Sequence, residues 1–176
     1  MTFTLDELEA LPMPVGWFDN RPVLNDLSER TRSRADALQL IDRLGPSSNL
    51  NLVACLLVTV RAHCIEHKSG STELMIRLFE KCRFTTHSVF LNTFLPYFLD
   101  LIESDGFTRD QSDSVLRILE AALASVEGLC AYGMRSQETL QLSKRLVRGL
   151  ERTPHFVKAT AELCRVAKVH EMRWGK

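Results

Sequence analysis

Residues 63 to 67, His-Cys-Ile-Glu-His, read H-x-x-E-H. Histidines four apart share one face of a helix, so His63 and His67 could hold a zinc ion with Glu66 as the base of a hydrolytic site. Such a zinc needs more than two histidines: a third protein ligand and an open position for water. Glu127, Glu138 and Glu151 stand at conceivable distances along the chain, and no pattern singles one out. The simpler reading ends an apolar helix here, turning Cys64 or Ile65 inward and leaving His63, Glu66 and His67 near solvent. A histidine in the last turn also complements the helix dipole. The expectation is therefore no metal and no cofactor, with His63, His67 and Glu66 the ligands to examine if a metal is bound.

Other reactive groups are fainter. Cys64 beside the two histidines could be a thiol nucleophile, yet no oxyanion donor or third orienting group accompanies it. There is no glycine-rich phosphate loop, no G-x-S-x-G and no C-x-x-C. The five cysteines, Cys55, Cys64, Cys82, Cys130 and Cys164, are odd in number and widely spread, as reduced core residues are. His87 and His155 each follow a capping threonine and are expected in the first turns of their helices.

Charge offers a second kind of site. The net charge is zero, but residues 1–20 hold four acids and no Lys or Arg, whereas 144–176 carry nine Lys/Arg against three Glu. In LSKRLVRGLE, Lys144, Arg145 and Arg148 fall opposite Leu142, Leu146, Val147 and Leu150, and the next helix adds Lys158, Arg165 and Lys168. Packed antiparallel, these would merge into one positive surface. A solvated face comes first among its readings, then an acidic protein partner, then RNA or DNA. Neutral overall charge and the lack of a nucleic-acid motif set the last one behind.

The frame that must position these groups is legible. At 176 residues the chain suits one domain, able to bury about 70% of its unfolded surface without metal or disulfide. Hydrophobic residues at 45% and charged residues at 25% are ordinary globular values, disfavouring disorder. No run approaches eighteen uncharged apolar residues, and the acidic start MTFTLDELEALP is unlike a signal peptide. An intracellular location, cytoplasmic or nuclear, with no membrane association is expected.

Apolar residues recur at helical spacing nearly throughout, so the chain reads as all-α with about 7–8 helices. A short helix opens at Thr4, with Glu7 completing a capping box. PMPVGWFDNRP follows; its prolines forbid regular structure, and Trp17 and Phe18 should anchor this part of the 1–21 segment across the helices or join a docking surface. Residues 22–44 are helical, with a break expected at ERTRSR and an apolar face of Leu24, Leu27, Leu38, Ile41 and Leu44. The most hydrophobic helix, within SSNLNLVACLLVTVRAHCIEH, is expected at the centre, closed by Ser69-Gly70-Ser71. TELMIRLFEKC and THSVFLNTFLPYFLDLIES come next, the latter kinked or broken before Pro96. Thr108 and Gln111 box the start of a helix lined by Val115, Leu116, Leu119, Ala122, Leu123, Val126 and Leu129. Two more helices begin at Ser136 and at Thr153-Pro154.

One helix-turn-helix unit returns. TELMIRLFEKCRFTTHSVFLNTFL aligns with LQLSKRLVRGLERTPHFVKATAEL at a constant offset, pairing Leu74 with Leu142, Leu78 with Leu146, His87 with His155 and Leu95 with Leu163. In THSVFLNTFLPYFLDLIE and RTPHFVKATAELC the chain resembles armadillo and HEAT-like helical repeat proteins. The resemblance covers about a quarter of the chain. It implies a short right-handed α-solenoid that binds peptides or other proteins along a surface or groove and is not catalytic. Against this, the units do not recur at the usual roughly 40–47 residues, which keeps a compact multi-helix bundle as the second architecture. The zinc-hydrolase reading meets a similar obstacle, because the peptidases that HCIEH resembles are larger and contain sheets. The expected function is a non-enzymatic interaction module, adaptor or scaffold subunit. Its partner would be a protein, acidic or a linear peptide; a second copy of the chain is compatible. A small zinc-dependent hydrolase and an RNA-associated adaptor are the alternatives.

Overall fold

Several helix starts in this chain are marked by side chains that can satisfy free backbone N–H groups. The computed structural model, which describes residues 3–10, 21–68, 70–82, 90–104, 106–131 and Arg145, places helices behind those marks. Helix α1 (Leu5–Glu9) starts at Thr4, whose N–H donates to Glu7 Oε2 at 2.7 Å while its hydroxyl accepts from the Glu7 N–H at 3.2 Å. This bonding holds the Glu7 carboxyl below its usual range, the Thr4 backbone N–H contributing most. Helix α2 (Arg21–Glu29) and helix α3 (Arg34–Leu44) are separated at the expected arginine-rich break. What ends the break is a second capping box, Ser33 with Asp36, which gives α3 its own start. Among the described residues there are seven α-helices and no strand, the all-α class that the periodicity indicates. Such elements fit a multi-helix bundle or a solenoid alike.

The chain divides into two compact units, residues 1–94 and 95–176. At the core of the first unit lies helix α4 (Leu50–His67), with α2, α3 and helix α5 (Ser71–Lys81) packed on it. Its residues 52–57 are all buried, along with Thr59, Val60, His63 and Cys64, so it is apolar around most of its girth until Arg61. Each fully buried Leu or Val contributes about 1.5–3 kcal/mol relative to exposure. By length and composition α4 is the one helix among the described residues able to cross a membrane, at a mean hydropathy of 1.2, and 56% of it is buried within the chain. That burial is what a core helix shows. Of the face expected on α2 and α3, Leu27, Ile41 and Leu44 are buried, and Val23, Ala37 and Leu40 complete it, while Leu24 and Leu38 are only half-buried.

Gly45, after α3, is required by close approach. A Cβ there would lie 2.8 Å from the Lys81 Cβ and 3.3 Å from the Cys82 Sγ at the end of α5. Across the same pair of helices Arg34 pairs with Glu73, and Asp42 receives Arg77 at 2.8 Å and Lys81 at 3.6 Å. The hydrogen bond from Arg77 is the main cause holding the Asp42 carboxyl below its usual range. Beyond α5, Phe90–Phe94 form a π-helical turn whose Phe90 and Phe94 rings stack at 5.5 Å and meet Phe79 at 6.0 and 6.1 Å. The widened turn ends two residues before Pro96, where a kink or break is expected.

In the second unit, helix α6 (Leu95–Ser104) buries Leu95, Phe98, Leu99 and Leu101. A 3₁₀ turn, Arg109–Gln111, leads into helix α7 (Ser112–Ala131). Thr108 and Gln111 form the expected capping box, the Thr108 N–H donating to Gln111 Oε1 at 2.9 Å. Helix α7 buries Val115, Leu119 and Ala122 of the expected line together with Ile118, while Leu116 is half-buried; the side chains of Leu123, Val126 and Leu129 lie outside the described residues. The second copy of the internal similarity, and the helices expected from Ser136 and Thr153, lie outside the described residues apart from Arg145.

Candidate functional site

The H-x-x-E-H run occupies the last turn and a half of α4. That end is firmly tied. The Lys68 N–H donates to the Cys64 carbonyl at 2.9 Å, with Lys68 itself at a φ of 53°. The Ser71 hydroxyl reaches the Lys68 carbonyl at 2.8 Å and the Cys64 carbonyl at 3.2 Å. Helix α4 ends at His67, with Lys68 as its C-cap, just before the Ser69-Gly70-Ser71 expected to close it; Ser69 lies outside the described residues, and Gly70, at a φ of 72°, stands at the start of α5. The Arg34 guanidinium lies 2.9 Å from where a Gly70 Cβ would stand.

Three of the five residues depart from or refine the expected placement. Cys64 turns inward and Ile65 outward, at 53% exposure the one large hydrophobic residue exposed among the described residues. Glu66 and His67 are exposed, as expected. His63 is not near solvent: it is buried, and its Nδ1 lies 3.1 Å from the Thr31 carbonyl in the break between α2 and α3. A carbonyl only accepts, so Nδ1 carries a proton, and in the neutral ring the lone pair is on Nε2. The His63 ring packs against His67 with centroids 4.3 Å apart and planes inclined at 42°. The sequence does not reveal Thr31 as the partner, because the group that acts is a backbone oxygen rather than a side chain.

Among the described residues no three His, Cys, Asp or Glu side chains converge, and none of these residues gives the pair the third protein ligand of a hydrolytic zinc site. Neither Glu138 nor Glu151 is among them, nor is the Glu127 side chain. The thiols are placed for packing. Burial pushes Cys55 and Cys64 up to about 11 and Cys82 up to about 12, the opposite of the depressed value of a nucleophilic cysteine. All three are free.

Of the basic residues, Arg145 alone can be placed. It donates to Asp100 Oδ1 at 2.6 Å and lies 3.5 Å from Glu103 Oε2, both on α6, with its side chain 25% exposed. Its charge is thus answered within the second unit. Lys144, Arg148, Lys158, Arg165 and Lys168 lie outside the described residues, as do Trp17 and Phe18. No protein-family model, curated protein or solved structure matches the chain.

Proposed function

We propose that this protein is a non-catalytic α-helical interaction module, armadillo-like in its use of stacked helices, that binds an acidic protein segment inside the cell. The observation that carries the reading is that, among the described residues, the three thiols are buried in the first unit and His63 is bonded to a backbone carbonyl. A nucleophile or general base needs the reverse, an accessible group beside a partner that activates it. Recognition then falls to charge. Lys144, Arg148, Lys158, Arg165 and Lys168 supply the positive surface, with Arg145 acting mainly as the anchor that ties their segment to Asp100 and Glu103. Trp17 and Phe18 supply the apolar part of the contact.

Affinity capture from cell extract followed by binding measurements on the recovered partner tests this. Reversing Lys144 and Arg148 to glutamate should weaken binding at least tenfold at low salt, and added salt should imitate that loss in the unaltered protein. Unchanged affinity in the variant at low salt would remove the basic surface from the function.

A further inference from the structure

Two imidazoles without a third protein ligand among the described residues suit a simpler chemistry than zinc hydrolysis. We propose that His63 and His67 form an exchangeable two-histidine site for a divalent ion of the later first row, such as Cu²⁺, Ni²⁺ or Zn²⁺, with water completing its coordination. The site goes beyond the interaction function and is independent of it.

Three observations join. First, the Nδ1 of His63 is committed to the Thr31 carbonyl at 3.1 Å. Metal-binding histidines are held in this way, by a hydrogen bond from the other ring nitrogen that fixes tautomer and orientation. In the neutral ring this leaves the lone pair on Nε2, the nitrogen that a metal would take. Second, the two rings stand side by side on one helix face, their centroids 4.3 Å apart, which is the i, i+4 placement in which two histidines can share one ion. Third, the two partners differ in freedom. His63 is buried and oriented, while His67 is exposed and can turn its lone pair toward a shared ion without disturbing the core.

Ligand type sets the choice of ion. Two imidazoles favour Cu²⁺, Ni²⁺ and Zn²⁺ over Mg²⁺ or Ca²⁺, which take oxygen ligands. With two protein ligands the ion exchanges readily, so the metal carried through purification does not report on the site; added metal does.

The test uses the full chain and Ni²⁺, an ion that prefers imidazole and does not oxidise thiols. Calorimetric titration should give a saturable event of one Ni²⁺ per chain that is absent in His67→Ala. At roughly 100-fold excess over Kd, thermal unfolding should rise by about 5–10 °C. His67 is exposed, so its loss should spare the fold without metal. A double variant, His67→Ala with Ile65→His, keeps the number of histidines but places the second ring two residues from the first, off the shared face. It should show neither the one-site event nor the thermal rise. A flat titration of the unaltered chain overturns the proposal. So does a one-site event that survives in either variant, because it would assign the binding to other groups.

Discussion

Burial of a thiol acts on stability as well as on reactivity. In the first unit Cys55 and Cys64 ionise near 11 and Cys82 near 12, raised by desolvation from an ordinary value of 9.0. Between pH 9 and 11 the unfolded chain therefore loses protons that the folded chain keeps, and stability must fall as pH rises. Below pH 9 the full stability is present. The slope approaches about 1.4 kcal/mol per pH unit for each such thiol. Urea midpoints at pH 8 and pH 10 should differ less in Cys64→Ala than in the unaltered chain; an equal difference would mean that Cys64 is accessible. Glycine gives a second contrast at this scale. Gly70 and Gly106 both hold a positive φ, 72° and 71°, but a Cβ meets the Arg34 guanidinium at Gly70 and nothing within 4 Å at Gly106. Gly106→Ala should cost about 1 kcal/mol, the conformational penalty alone. Gly70→Ala should cost more, because it also displaces Arg34 from its pair with Glu73. Denaturant unfolding of the two variants separates these contributions.

Elements add the question of which forces join α3 to α5. The two helices share an ion-pair cluster around Asp42, and α5 buries Leu74, Met75, Ile76 and Leu78 in the first unit. The charges are about two-fifths exposed, where water and salt screen them, while Leu78 is fully buried. Leu78→Ala should cost about 2–5 kcal/mol and Asp42→Asn should move the urea midpoint little, least of all in high salt. This ranking also explains what could be read in advance. Helix class, the break at ERTRSR, the end of α4 just before Ser69-Gly70-Ser71 and the boxes at Thr4 and Thr108 are local: they depend on residues close in sequence to the backbone they affect. The burial of His63 is not local, because it depends on the Thr31 carbonyl, 32 positions away, coming to lie over α4. Nor was Ile118 separable from Leu116 by spacing, since neighbouring apolar residues on α7 differ only by where the helix is rotated. The need for Gly45 to admit Lys81 and Cys82 likewise appears only once α3 and α5 meet.

For the whole molecule, fold and recognition can be separated through the basic residues, and Arg145 is where they cross. Read by spacing, Lys144, Arg145 and Arg148 form one surface; Arg145 is nevertheless placed between Asp100 and Glu103, with a quarter of its side chain exposed. A charge half-withdrawn from water and paired with two carboxylates has a structural consequence that a solvated lysine does not have. Arg145→Glu would set three carboxylates together, and the second unit should lose roughly 1–3 kcal/mol, part from the missing pair and part from like-charge repulsion. Added salt should recover some of this by screening. Lys144→Glu and Arg148→Glu should instead leave the urea midpoint in place and act on partner binding. If all three reversals destabilise alike, the whole basic segment is bound up in the fold, and the acidic partner must be sought along another face. If Arg145→Glu alone does so, and the other two alone weaken binding, then the segment is held by one arginine and recognises through its neighbours.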